Sequence, residues 1–155
     1  MSTFPRSILL VCLGNICRSP TAHAVLQQMA LKDDISLEID SAGTGDWHIG
    51  HTPDERAMNA AAARGYDLSA LKARQVTQDD FYRFDLILAM DRSNLRNLKK
   101  LAPADASAQV ELFLPYGDST TEEVPDPYFG GEDGFDHVLN LIEDASSSIL
   151  ARYKE

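Results

Sequence analysis

Residues 8–20 read "ILLVCLGNICRSP", an unbroken apolar run set directly against a short loop and a proline-opened helix. Four apolar residues in sequence, Ile8-Leu9-Leu10-Val11, fit a strand covered on both faces, because an exposed face would interrupt them with polar residues. Behind the loop, Ala22, Val25, Leu26, Met29 and Ala30 recur at the spacing of one helix face. Pro20 stands near the start of that helix, where a missing N–H costs little. A covered strand feeding an amphipathic helix points to a parallel sheet with right-handed crossovers.

The rest of the chain repeats the alternation. Ile35, Leu37 and Ile39 alternate with Ser36, Glu38 and Asp40, a strand with one wet face. Thr52-Pro53-Asp54-Glu55 reads as a capping box with Pro at the first helical position, opening an alanine-rich helix toward a left-handed stop at Gly65. Thr77-Gln78-Asp79-Asp80 caps a short turn carrying Phe81. Phe84–Met90 is again largely apolar, and Asp91 caps a helix to about Leu101, ended by Pro103. Val110, Leu112 and Leu114 alternate with Gln109, Glu111 and Phe113, and Phe135, Val138, Leu139, Ile142, Ala145 and Ile149 mark a last helix. The two continuous strands belong in the centre and the two alternating ones at the edges. The expected architecture is α/β, one three-layer domain with a four-stranded parallel sheet in the order 2-1-3-4 and helices on both faces. Ligands of such sheets bind at the carboxyl ends of the strands, beside the switch point, and Cys12 lies at such an end.

A chain of 155 residues suits one domain, burying about 68–70% of its unfolded surface without disulfides. The net charge of −10 argues against nucleic acid or an anionic membrane as partner. The Ile8–Cys12 run is far shorter than the roughly 20 residues of a membrane span, and shorter than a signal-peptide core. A reducing cytoplasm is the expected compartment, where close cysteines more often mean reactivity than structure.

The only cysteines, Cys12 and Cys17, flank Leu13-Gly14-Asn15-Ile16 and are followed by Arg18-Ser19. A loop wound at a helix N-terminus turns backbone N–H groups inward and adds the partial positive charge of the dipole, which makes an anion cradle. Gly14 and Asn15 tolerate backbone angles that most residues resist. Arg18 offers a planar fork of donors to phosphate oxygens, and the same surroundings activate a thiol. Cys12, with Ser19 able to bond its sulfur, therefore reads as a nucleophile in a phosphate cradle. Zinc would need about four ligands, and two cysteines with four scattered histidines offer no such set. A bare Cys-x5-Arg is a weak signal; its placement between a covered strand and a helix, with Ser after the Arg, makes it specific.

Dephosphorylation also needs an acid for the leaving oxygen. Asp126, held between Pro125 and Pro127 in the loop after the fourth strand, is the candidate. Its neighbours Glu122, Glu123 and Asp133 are expected to favour a protonated carboxyl by like-charge repulsion. Asp-Pro alone is ordinary turn chemistry, and only Cys12 upstream lifts it above that. His51 precedes the capping box, His137 starts the last helix, and His23 and His48 could sit near the cleft rim; each reads as a surface or packing residue rather than a catalyst.

"VCLGNICRSPTA", "DSAGTGDWHIG", "TPDERA", "ARQVT", "FDLILAMDRSNL" and "DPY", with the spacing between them, resemble the low-molecular-weight protein tyrosine phosphatases over essentially the whole chain. The resemblance implies a flavodoxin-like phosphatase domain over residues 1–155, no metal or cofactor, and a two-step mechanism through a phosphocysteine. By position it makes Cys12 the nucleophile, Arg18 the phosphate ligand and Asp126 the acid and then base. Leu13, Gly14, Asn15, Ile16, Cys17 and Ser19 form the binding loop, Ser41 helps hold Asn15, and Trp47 and Tyr128 match the aromatic walls. Ile16 is the tyrosine-type choice, where relatives acting on phosphoarginine commonly carry Thr. Leu71 replaces a histidine that often supports the loop asparagine, so a less rigid loop is expected. Cys17 fits a second thiol able to capture an oxidised Cys12 as a disulfide.

The implied substrates are phosphotyrosine-bearing proteins or small aryl phosphates, with a bacterial tyrosine kinase of polysaccharide export as a partner and a monomer or weak dimer as the assembly. A thiol-dependent arsenate reductase would need cysteines beyond Cys17, and none exists. A phosphopeptide-binding module has no need of Cys12, Arg18 and Asp126 together, and a flavin electron carrier has no use for the thiol.

Overall fold

The computed structural model describes residues 4–127 and 132–154. In chain order the elements are β1 (Ser7–Cys12), α1 (Arg18–Lys32), β2 (Glu38–Gly43), α2 (Glu55–Ala62), α3 (Asp80–Arg83), β3 (Leu86–Ala89), α4 (Arg92–Leu101), β4 (Gln109–Leu112), α5 (Phe113–Tyr116) and α6 (Glu132–Ala151). All pairings are parallel and the strand order is β2-β1-β3-β4, as the apolar patterns require. Val11 pairs with Ala42 on one side and Ala89 on the other, so the loop after β1 emerges between the ends of β2 and β3.

The sheet carries a core on each face. Ile8, Leu10, Leu86 and Leu88 pack with Val25 and Leu26 of α1 and Val138, Ile142 and Ile149 of α6. Leu9, Val11, Ile87 and Ala89 pack on the other face with Phe81, Phe84 and Leu98. Alternation along two strands buried on both sides thus divides their side chains between two helical layers. No helix among the described residues is long and apolar enough to cross a membrane.

Three local expectations shift. The alternating stretch from Ile35 is not yet strand, because β2 begins at Glu38, whose N–H bonds the Arg6 carbonyl. Ile35 closes α1 instead: Asp34 takes a left-handed φ of 54° and the Ile35 N–H reaches back to the Ala30 carbonyl at 2.9 Å, the bond of a Schellman stop. β4 ends at Leu112, and Phe113 and Leu114 enter a helical turn with both side chains buried. A continuing edge strand would have sent one of them to solvent. The cap of α2 is Asp54 rather than Thr52, and Pro53 precedes the helix. The Asp54 carboxylate accepts the Arg56 N–H at 2.8 Å while its own N–H bonds the Ile16 carbonyl, which docks the helix entry on the Cys12 loop. Gly65 does take the left-handed stop, with φ of 90°.

The central position of β3 sets a stability expectation. Leu88→Ala, at a fully buried site, should lower the unfolding free energy in urea by about 2–5 kcal/mol. Leu31→Ala on the open face of α1, where Leu31 is 66% exposed, should stay within about 0.5 kcal/mol.

Candidate active site

The loop from Cys12 to Arg18 is held from outside by its carbonyls. Those of Cys12 and Leu13 accept the N–H groups of Thr44 and Gly45, that of Ile16 accepts Asp54, and that of Cys17 accepts the Thr21 N–H and hydroxyl. In a planar trans peptide the next N–H points opposite to the carbonyl. The N–H groups of Leu13, Gly14, Cys17 and Arg18 are thereby turned away from those anchors, toward the hollow of the loop. At the centre, Cys12 Sγ lies 3.0 Å from Ser19 Oγ and accepts the Asn15 N–H at 3.2 Å.

Asn15 shapes that hollow. Its φ of 57° is left-handed, a conformation Asn tolerates through local bonding. Its side chain donates to Ser19 Oγ at 2.8 Å and accepts the Arg74 main-chain N–H at 3.0 Å. Arg74 is itself fastened, with its guanidinium bonded to both oxygens of buried Asp80 and to Asp40, and its carbonyl accepting the Gly43 N–H. Gly43 allows the close approach: a Cβ there would stand 2.7 Å from the Leu13 carbonyl oxygen. Support for Asn15 thus comes from Arg74 and Ser19 rather than from Ser41, whose hydroxyl meets His23 Nδ1 at 3.0 Å. Leu71 packs half-buried on the core, and the Arg74 N–H keeps Asn15 held without a histidine at that position.

Arg18 opens α1 with 3% of its surface exposed. Nη1 donates to Asp91 Oδ2 at 2.7 Å and to the Val124 carbonyl at 3.0 Å, and Nη2 stands 3.7 Å from Asp126 Oδ2. Burial works against its charge, but Cys12, Asp91 and Asp126 more than offset it and hold the pKa above the ordinary arginine value. Burial foremost, then Asp54, Cys12 and Asp126, pushes the Cys17 thiol far up. Cys17 therefore stays protonated at neutral pH, and both cysteines are free.

Cys12, Leu13, Gly14, Ile16, Cys17, Arg18, Trp47, His48 and Asp126 line one open cleft. Trp47 is 65% exposed and folds over Gly45, where a side chain would collide with its ring. Tyr128 lies outside the described residues, as does the Asp133 side chain. Glu122 pairs with the Arg92 side chain and Glu123 with the Arg92 N–H. In the sequence Asp91 is marked only as a helix cap. It does cap, through Oδ1 and the Asn94 N–H, but its second oxygen holds Arg18. The available signal was topology, since a cap following the strand parallel to β1 must sit beside the Cys12 loop. His48, which could sit near the cleft rim on sequence grounds, does line the cleft. A thiol among inward donors, a buried cation and a carboxyl at the mouth can bind a phosphate monoester, attack its phosphorus and protonate its leaving oxygen.

Residues 7–155 match the model of the low molecular weight phosphotyrosine protein phosphatases. The chain belongs to that family. A low molecular weight protein-tyrosine-phosphatase of Streptomyces coelicolor is 44% identical over 156 residues, covering 96% of this chain and 93% of its own. Among solved structures, a protein tyrosine phosphatase of Entamoeba histolytica with Hepes in its active site superposes with a TM-score of 0.89 at 36% identity, covering 96% of each chain. An arginine phosphatase of Drosophila reaches the same TM-score at 32% identity, covering 96% of this chain and 98% of its own. The protein is a low molecular weight protein-tyrosine phosphatase, a hydrolase with a flavodoxin-like fold.

His23 gives this region a pH-dependent stability. Burial holds its pKa below the ordinary histidine value, with Asp40 opposing. Below about pH 6.5 the unfolded chain binds a proton that the folded one refuses, so stability is full above that pH and falls as pH drops toward the folded value. Unfolding free energies measured in urea between pH 7.5 and pH 5, as rough bounds on that window, should decline in the wild type and flatten in His23→Gln.

Proposed function

We propose that Cys12 attacks the phosphorus of a tyrosine phosphate, forming the S–P bond as the aryl P–O bond breaks. Asp126 supplies the proton that the departing phenolic oxygen takes up. The result is a phosphocysteine; Asp126, now a carboxylate, removes a proton from water as that water attacks phosphorus and the S–P bond opens. Arg18 holds the phosphate oxygens through both steps with the donors that Asp91 and Val124 leave uncommitted, and the inward amides share the equatorial charge. Ser19 and Asn15 stabilise the thiolate before attack and after release. The observation that carries this reading is the meeting of Cys12, Arg18 and Asp126 on one cleft.

Substrate selection is assigned to the mouth. Trp47 and Ile16 give an apolar wall suited to a phenyl ring. Phosphotyrosine is preferred over phosphoarginine because Ile16 offers the planar, charged guanidino group no acceptor. The substrates are phosphotyrosine-bearing proteins or small aryl phosphates in the cytoplasm, acted on by a monomer or weak dimer without a metal or cofactor. A bacterial tyrosine kinase of polysaccharide export is the partner that the family implies.

Turnover of p-nitrophenyl phosphate should be lost in Cys12→Ser, and retained activity would refute the nucleophile. Asp126→Ala should lose about 10²-fold or more on phosphotyrosine, the worth of a positioned acid, and less on p-nitrophenyl phosphate, whose nitrophenolate leaves with little help.

Cys17 serves as the guard thiol. Peroxide converts the Cys12 thiolate to a sulfenic acid, and the Cys17 sulfur displaces water from it to give a disulfide before further oxidation. Wild-type activity lost to peroxide should return fully with dithiothreitol, while Cys17→Ser should recover less. Equal irreversible loss in both would contradict the guard role.

A further inference from the structure

The loop that brings Asp126 to the cleft is fastened before it arrives. Glu123 Oε2 accepts the main-chain N–H of Arg92, the first residue of α4, at 2.8 Å. Val124 follows with 1% of its surface exposed; its N–H donates to the Met90 carbonyl at 2.8 Å and its carbonyl takes Arg18 Nη1. Only Pro125 separates this anchored residue from Asp126, and Pro127 comes next. Proline fixes its own φ and confines the residue before it to extended backbone. Asp126 therefore stands on a stiff arm whose direction is set at residues 123 and 124.

The first turn of α4 has N–H groups with no partner inside the helix. Two carboxylates take two of them, and both lead to the cleft. Asp91 bonds the Asn94 N–H and passes its other oxygen to Arg18. Glu123 bonds the Arg92 N–H and leads through two residues, Val124 and Pro125, toward Asp126. Glu122 differs, because its pairing with Arg92 joins two side chains that are each about half exposed, the kind of pair that contributes little.

We propose that Glu123 is a positioning residue for Asp126. By capping α4 it sets the 124–126 arm so that the Asp126 carboxyl meets the phenolic oxygen as the P–O bond breaks. Glu123 touches no substrate and acts through the arm alone. The inference rests on the reading of Asp126 as the acid.

The test compares kcat/KM for wild type, Glu123→Ala, Glu123→Gln and Asp126→Ala across aryl phosphates from p-nitrophenyl phosphate to phenyl phosphate. A positioned acid contributes about 10²–10⁴-fold, so Glu123→Ala should lose about tenfold on phenyl phosphate and stay within about twofold on p-nitrophenyl phosphate. Its dependence on leaving group should shift toward that of Asp126→Ala. Glu123→Gln, whose amide oxygen still accepts the Arg92 N–H, should keep most of the phenyl phosphate activity. An equal loss on every substrate, as general destabilisation would cause, overturns the proposal, and so does no loss on any. If Asp126→Ala itself shows no leaving-group dependence, the acid assignment fails and the proposal with it. If Asp126→Ala shows that dependence and Glu123→Ala does not, the anchoring alone is overturned.

Discussion

A guanidinium buried as deeply as that of Arg18 has to be matched by fixed partners, because an unpaired charge in the interior costs several kcal/mol. Asp91 supplies an opposite charge at 2.7 Å and Val124 a carbonyl at 3.0 Å. One partner follows β3 and the other follows β4, while Arg18 itself follows β1. Satisfying this one cation therefore requires three carboxyl ends of the sheet to arrive together, which parallel pairing in the order β2-β1-β3-β4 provides. The same requirement draws the 122–126 segment across the end of β3 and delivers Asp126 to the mouth.

The thiol side of the cleft has separate supports. Asn15 is held left-handed from below by Arg74, and Arg74 is locked by Asp80 and Asp40 against the end of β2. Gly43 lets the two backbones meet. The floor is thus clamped between β2 on one side and β3 with the 122–126 segment on the other. The rim is built differently, since Trp47 leaves most of its surface to solvent. A rigid floor with an open rim suits a constant phosphate carried on proteins of varied surface.

The strand-loop-helix at residues 8–30, the strand order and the cap at Asp91 were legible because each is written in local pattern: continuous against alternating apolar residues, and a carboxylate before a helical run. Asp126 was legible as a candidate only in company with Cys12. What local pattern misled about has a common cause. Ile35 and Leu37 alternate like a strand, yet a left-handed Asp34 turns them into the packing that closes α1. Phe113 and Leu114 obey the alternation of β4 until burial of both demands a helical turn. The second oxygen of Asp91, the Arg74 N–H and the Val124 carbonyl are long-range partners that no spacing announces. Composition and periodicity report what a residue buries, and not which distant group its polar atoms meet.

The central claim is that phosphate passes through a covalent bond to Cys12. The direct measurement is intact-mass and peptide analysis of enzyme quenched under denaturing conditions during turnover of an aryl phosphate. The account predicts one phosphoryl group on the peptide containing Cys12 in the wild type, and none on Cys12→Ser. A phosphoryl group on another residue, or sustained turnover of Cys12→Ser with no covalent intermediate, would contradict it.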